Sequence, residues 1–216
     1  MWLINTETLR LKSFQVTAPR YAILSHRWGC DEDEVTFDQW QDDHDKISSK
    51  PGYLKIVQAC KQAQADDLEY LWVDTNCIDK RSSAELSEAI NSMYRYYGQA
   101  MICYAYLQDV LDTGPTPEDP GRQFEESLWF TRGWTLQELL APRKLVFFTA
   151  EWRRIGTKSG LEDVISRITG IPKSYLQPNN IRSASIATRM CWVSNRVTTR
   201  LEDIAYCMLG ILKIHM

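Results

Sequence analysis

The sequence predicts an α/β fold: a mostly parallel sheet flanked by helices, followed by a mainly helical C-terminal part. Two observations carry this. Four short apolar runs (21–25, 70–74, 100–105 and 144–149) are rich in β-branched and aromatic residues and nearly continuous, as in strands buried on both faces. Between them, apolar residues recur at helical spacing.

The elements follow in chain order. After the first run, residues 29–50 are acidic and polar and read as a loop, with Phe37 and Trp40 as anchors and Asp31–Glu34 as a solvated face. Pro51 opens a helix whose stripe is Leu54, Val57, Cys60 and Ala63. Ser82-x-x-Glu85 has the form of a capping box, and Leu86, Ile90, Met93, Tyr94 and Tyr97 then recur on one helical face. Residues 112–122 contain three of the eight prolines and read as a surface loop. Beyond residue 150 a stripe of Leu161, Val164, Ile165 and Ile168 is stopped by Gly170 and Pro172. The final stretch, AYCMLGILKIHM, is apolar without a polar cap, as in a fragment of a longer protein or a buried terminal helix.

Composition narrows the function classes. At 216 residues the chain is long enough for one sizeable core. A net charge of -3 lacks the basic footprint of a nucleic-acid binder. With 44% hydrophobic and 25% charged residues, wholesale disorder is excluded. The unusual entry is aromatic, with 8 Trp and 10 Tyr. Six scattered cysteines without a CxxC pair read as reduced core thiols. The N-terminus has no apolar signal-peptide region, and no apolar run is long enough to span a membrane. A cytoplasmic protein is expected.

Three polar and aromatic clusters stand out: Leu24-SHRW-Gly29, Trp72-VDTNCI-Asp79 and Arg132-GWTLQE-Leu139. The first two follow predicted strands, and open α/β sheets bind ligands at such strand ends. His26 and Cys77 suit a thiol–imidazole pair, although Cys77 beside Ile78 reads better as a buried thiol. Arg27 and Arg132 suit phosphate binding or, equally, pairing with Asp74 and Asp79. No zinc-ligand spacing, GxGxxG or Walker motif is present. Glu138 falls near a helix start. There it either complements the helix dipole or sits in a cleft to stabilise positive charge on a sugar ring.

The segments Tyr21-AILSHRW-Gly29, Leu71-WVDTNCID-Lys80 and Arg132-GWTLQE-Leu139 resemble the heterokaryon-incompatibility (HET) domain of filamentous fungi. The stretch from Thr198 to Ile211 is similar to the C-terminal part of that family, where Lys80 departs from a frequent Gln. The resemblance implies a single domain over 1–216, with a core over 1–150 and a helical part over 151–216, at the N-terminus of a longer protein. HET domains are in turn similar to TIR domains, which implies a TIR-like (flavodoxin-like) sheet. Trp134-TLQE-Leu139 resembles a TIR helix motif whose glutamate is catalytic, and this maps onto Glu138. The implied activity is hydrolysis of NAD+ to nicotinamide and ADP-ribose on self-association, triggering cell death. NAD+ enters as substrate, with no further cofactor and no metal. In this picture Trp28 or Trp134 stacks on a ring, Arg27 pairs with the pyrophosphate, and Ser25, His26 and Asp74 line the strand ends. The alternative is a non-enzymatic, TIR-like homotypic assembly module.

Overall fold

The computed structural model describes residues 1–111, 120–177 and 180–215. They group into two compact units: Met1–Leu24 with Trp28–Ala89, and Ser25–Arg27 with the chain from Ile90 onward.

The first unit is built on β1 (Trp2–Asn5), β2 (Leu11–Ser13), β3 (Tyr21–His26, of which Ser25 and His26 count with the second unit) and β4 (Tyr70–Trp72), in the order β2-β1-β4-β3. β1 runs antiparallel to β2 and β4, while β3 and β4 are parallel, with Tyr21 opposite Tyr70 and Ile23 opposite Trp72. All residues of β3 and β4 are buried, which accounts for their largely apolar character up to Ser25 and His26 at the end of β3. The β1–β2 pair was not among the expected strands. The segment expected as a loop forms a short helix, α1 (Phe37–Gln41), capped by Thr36 and Gln39. Its Phe37 and Trp40 are buried anchors as expected, and Trp40 Nε1 donates to the Leu9 carbonyl at 2.8 Å.

Helix α2 (Pro51–Ala65) makes the crossover between β3 and β4, starting at Pro51 as read. Its buried face is Lys55, Ile56, Ala59, Cys60 and Ala63, and Leu54 is 52% exposed. The expected stripe was therefore rotated by about one residue. Gly52 fixes the rotation: a Cβ there would lie 2.5 Å from the Asp33 carbonyl. Helix α3 (Ser83–Gln99) begins in the first unit and ends in the second. Only half of its capping box forms. Ser82 Oγ accepts the Glu85 N–H at 3.3 Å, whereas the Glu85 carboxylate takes the Asp79 N–H. Its buried residues include Ala89, Met93 and Tyr97, with Leu86 and Ile90 only half-buried.

The second unit holds β5 (Ile102–Tyr106), β6 (Leu145–Phe148) and β7 (Arg154–Thr157), in that order. β5 and β6 are parallel, and β7 is antiparallel to β6, a strand that the helical reading beyond 150 missed. Between β5 and β6 come α4 (Gly121–Glu125) and α5 (Thr135–Leu140). The expected loop at 112–122 falls outside the described residues over 112–119, while Gly121 and Arg122 are helical. Phe124, Trp129, Phe130 and Phe147 meet edge to face in this core. Helix α6 (Glu162–Thr169) buries Leu161, Val164 and Ile165 at its start and ends at Gly170, whose φ of 67° is left-handed. Among the described residues four short helices follow: α7 (Lys173–Leu176), α8 (Ile186–Cys191), α9 (Asp203–Tyr206) and α10 (Leu209–Leu212). Among the described residues no helix is long and apolar enough to cross a membrane.

Candidate functional site

Glu138 lies on α5, in the second unit. This helix has six residues, all buried, and cannot be stable alone. Its start is held by Thr135, whose Oγ1 lies 2.6 and 2.8 Å from the carbonyls of Trp129 and Arg132. Arg196 Nη1 donates to the Arg132 carbonyl at 2.8 Å and to Thr135 Oγ1 at 2.9 Å. At the other end Lys158 Nζ donates to the carbonyls of Leu139 (3.0 Å) and Pro142 (2.6 Å). Gln137 Nε2 reaches the Cys207 carbonyl at 2.7 Å. A buried cation thus grips each end of the helix that carries Glu138.

Glu138 is 6% exposed and Ser25 is fully buried. The Ser25 hydroxyl donates to Glu138 Oε2 and accepts the Trp129 indole N–H at 2.9 Å. The result is a buried Trp129–Ser25–Glu138 chain. The electrostatics reflect dry surroundings. Burial pushes Lys158 down to about 8. Burial lowers Arg196 to about 10, against the raising influence of Cys207 and Glu138. The Cys103 thiol is pushed well up, first by burial and then by the Glu138 charge.

A second constellation lies in the first unit, past the end of β4. Trp28 Nε1 donates to Asp74 Oδ2 at 2.8 Å, and Lys80 Nζ sits 3.7 Å from the centroid of the Trp28 ring. Burial raises the Asp74 carboxyl, opposed first by Lys80 and then by the Trp28 hydrogen bond. Burial lowers Lys80, opposed by Asp74 and Glu34. Asp74 Oδ1, Thr75 Oγ1 and both amide atoms of Asn76 are buried with no hydrogen-bond partner among the described residues.

Several expectations are corrected here. The acidic run is not wholly solvated: Glu34 is buried, accepting from Lys55 Nζ at 2.8 Å and from the Gly29 N–H at 2.7 Å. Burying one carboxylate required a lysine on the inner face of α2. Asp79 pairs with Arg81 at 2.9 Å, not with Arg27 or Arg132, because the i,i+2 turn brings Arg81 onto it first. Arg132 Nη2 instead donates to Thr199 Oγ1, and Arg27 is exposed. Trp134 Nε1 donates to Asp203 Oδ2 at 3.2 Å. Cys77 is buried and its thiol is pushed up to about 12 by burial, the opposite of an activated nucleophile. His26 is buried at the end of β3. All six cysteines are free, but Cys30 and Cys191 are exposed rather than core thiols. Among the described residues no His, Cys, Asp and Glu cluster is placed to hold a metal.

The structure therefore joins Ser25 to Glu138 in one unit and Trp28 to Asp74 in the other. Sequence reasoning missed Trp129, Lys158, Arg196 and Lys55. Trp129 stands three residues before the third cluster, within its reach. Lys55 would have shown itself had the α2 stripe been read through Ile56 and Ala59. Arg196 and Lys158 give no local signal, since their partners lie far away in sequence.

Residues 21–119 match the family model described as Heterokaryon incompatibility protein (HET), which spans the first two clusters and ends before Glu138. Over 201 residues the chain is 47% identical to Vegetative incompatibility protein HET-E-1 of Podospora anserina. That alignment covers 92% of this chain, which spans only 15% of the relative's length. No solved structure matches the chain.

Proposed function

We propose that this chain is a TIR-like effector domain of heterokaryon incompatibility that hydrolyses NAD+ to nicotinamide and ADP-ribose on self-association, with Glu138 as its catalytic carboxylate. The observation that carries the reading is the Glu138 carboxylate itself, buried on α5 and bonded by Ser25. The TIR-like part draws support from two parallel strand pairs, β3–β4 and β5–β6, each joined through helix. The incompatibility part draws on the family match and on the name of the 47% identical relative.

In the reaction the bond from the ribose C1′ to the nicotinamide nitrogen breaks, its electron pair going to the ring. Nicotinamide, cationic in NAD+, leaves neutral and needs no proton. Water adds to C1′ of the oxocarbenium-like ribose and loses a proton to solvent. A fixed carboxylate serves by holding the ribose hydroxyls and offsetting the developing positive charge. Ser25 holds that carboxylate, and exposed Arg27 is the cation assigned to the pyrophosphate.

The test is nicotinamide release from NAD+ by the purified protein, alone and after forced oligomerisation. Glu138→Gln keeps the shape and removes the charge, so a folded variant should lose activity by about a hundredfold or more. A variant cleaving at the parent rate refutes the assignment. A parent inactive in both states points to the non-enzymatic assembly module.

A further inference from the structure

A carboxylate 6% exposed requires both a fixed frame and a compensating charge, or it protonates. Arg196 meets both needs. Its side chain is 7% exposed, and Nη1 ties the Arg132 carbonyl to Thr135 Oγ1, the residue that opens α5. Its Nη2 is buried with no hydrogen-bond partner among the described residues. The Glu138 charge in turn favours the charged form of Arg196.

We propose that Arg196 is the positioning residue of Glu138: it locks the first turn of α5 and supplies the buried positive charge that keeps the carboxylate ionised. This rests on the reading of Glu138 as the functional carboxylate. The other groups around Glu138 act differently. Ser25, on β3, is a neutral donor, and His26 follows it on the same strand. Cys103 on β5 and Cys207 beside Arg196 are buried thiols held in the neutral form. Lys158 grips the far end of α5 and acts on Cys103.

The experiment compares parent, Arg196→Met and Arg196→Lys in the whole chain, by carbon NMR titration of the Glu138 carboxyl and by NAD+ cleavage against pH. Arg196→Met should raise the Glu138 midpoint by about one pH unit or more. It should lower kcat by about tenfold or more with KM within about threefold, and shift the acid limb of the pH–rate profile upward by the same amount as the midpoint. Arg196→Lys restores the charge without the planar fork, so the midpoint should return while kcat recovers only in part. A folded Arg196→Met with an unmoved midpoint overturns the proposal. If that variant does not fold, Arg196→Lys decides: parent-like kcat there overturns the locking role, and a raised midpoint overturns the charge role. An inactive parent whose Glu138 midpoint still moves with Arg196 refutes the NAD+ reading and leaves this inference standing.

Discussion

Replacing Ser25 with alanine removes one hydroxyl from the middle of a buried three-group chain. The Trp129 indole N–H, now 2.9 Å from Ser25 Oγ, loses its acceptor. Orphaning a buried donor costs about 1–3 kcal/mol. Glu138 loses a hydrogen bond to a charged group, worth about 1.5–3 kcal/mol. The change deletes a single oxygen, so the cavity contribution is small. Ser25→Ala should therefore destabilise by about 3–5 kcal/mol, lowering Tm by roughly 6–20 °C for a chain of this size. Trp129→Phe removes the donor that would be orphaned, so the two losses should not add. Urea unfolding of parent, both single variants and the double variant at pH 7 gives the coupling, expected at about 1–3 kcal/mol. A Ser25→Ala loss under about 1 kcal/mol, or a coupling under about 0.5 kcal/mol, would show that the three groups are not energetically connected.

The Glu34–Lys55 pair should be costly to halve and tolerant of joint replacement: Lys55→Met loses about 3–5 kcal/mol in denaturant unfolding, and Lys55→Met/Glu34→Leu recovers most of it. Gly52→Ala should lose about 2 kcal/mol, because the new Cβ meets backbone at 2.5 Å rather than a yielding side chain. Lys158 titrates near 8 folded against 10.5 unfolded, so between those values the unfolded chain binds more protons and stability rises with pH. Below pH 8 the full penalty of about 3 kcal/mol applies, and it is relieved by about pH 10.5. The stability difference between parent and Lys158→Met should trace this rise, and a difference flat across pH 8–10.5 refutes it. Thiol labelling of the native protein should modify Cys30 and Cys191 rapidly and the four buried cysteines only on unfolding.

The four principal strands were legible because each is a nearly continuous apolar run, and Tyr21–His26 and Leu145–Phe148 prove buried throughout. The β1–β2 pair was not, since Leu11–Ser13 alternates weakly and is half open to solvent. Helix α2 starts at Pro51 as expected and buries Cys60 and Ala63 of the expected stripe, but its first half is turned, because Leu54 is apolar yet exposed and Lys55 is charged yet buried. A stripe read through Ile56 and Ala59 would place Lys55 inside, but its partner Glu34 lies twenty-one residues upstream and is named only by the fold. The candidate site shows the same divide. Glu138 and Ser25 belong to dense motifs and could be named. Their pairing spans 113 residues and depends on the tertiary fold. Trp134, conspicuous in its motif, spends its indole N–H on Asp203.

The double grip on α5 bears on how finely this protein can be dissected. A helix about 9 Å long has no structure of its own to keep. The stretch matching the family model closes at residue 119, and the first 150 residues hold every strand but β7 among the described residues. Yet a fragment trimmed to either limit forfeits Lys158 and Arg196, and with them both anchors of the carboxylate-bearing turn. Such a fragment would be a poor reagent for judging catalysis. The smallest piece that can report on Glu138 extends past Arg196 to Cys207, whose carbonyl receives Gln137.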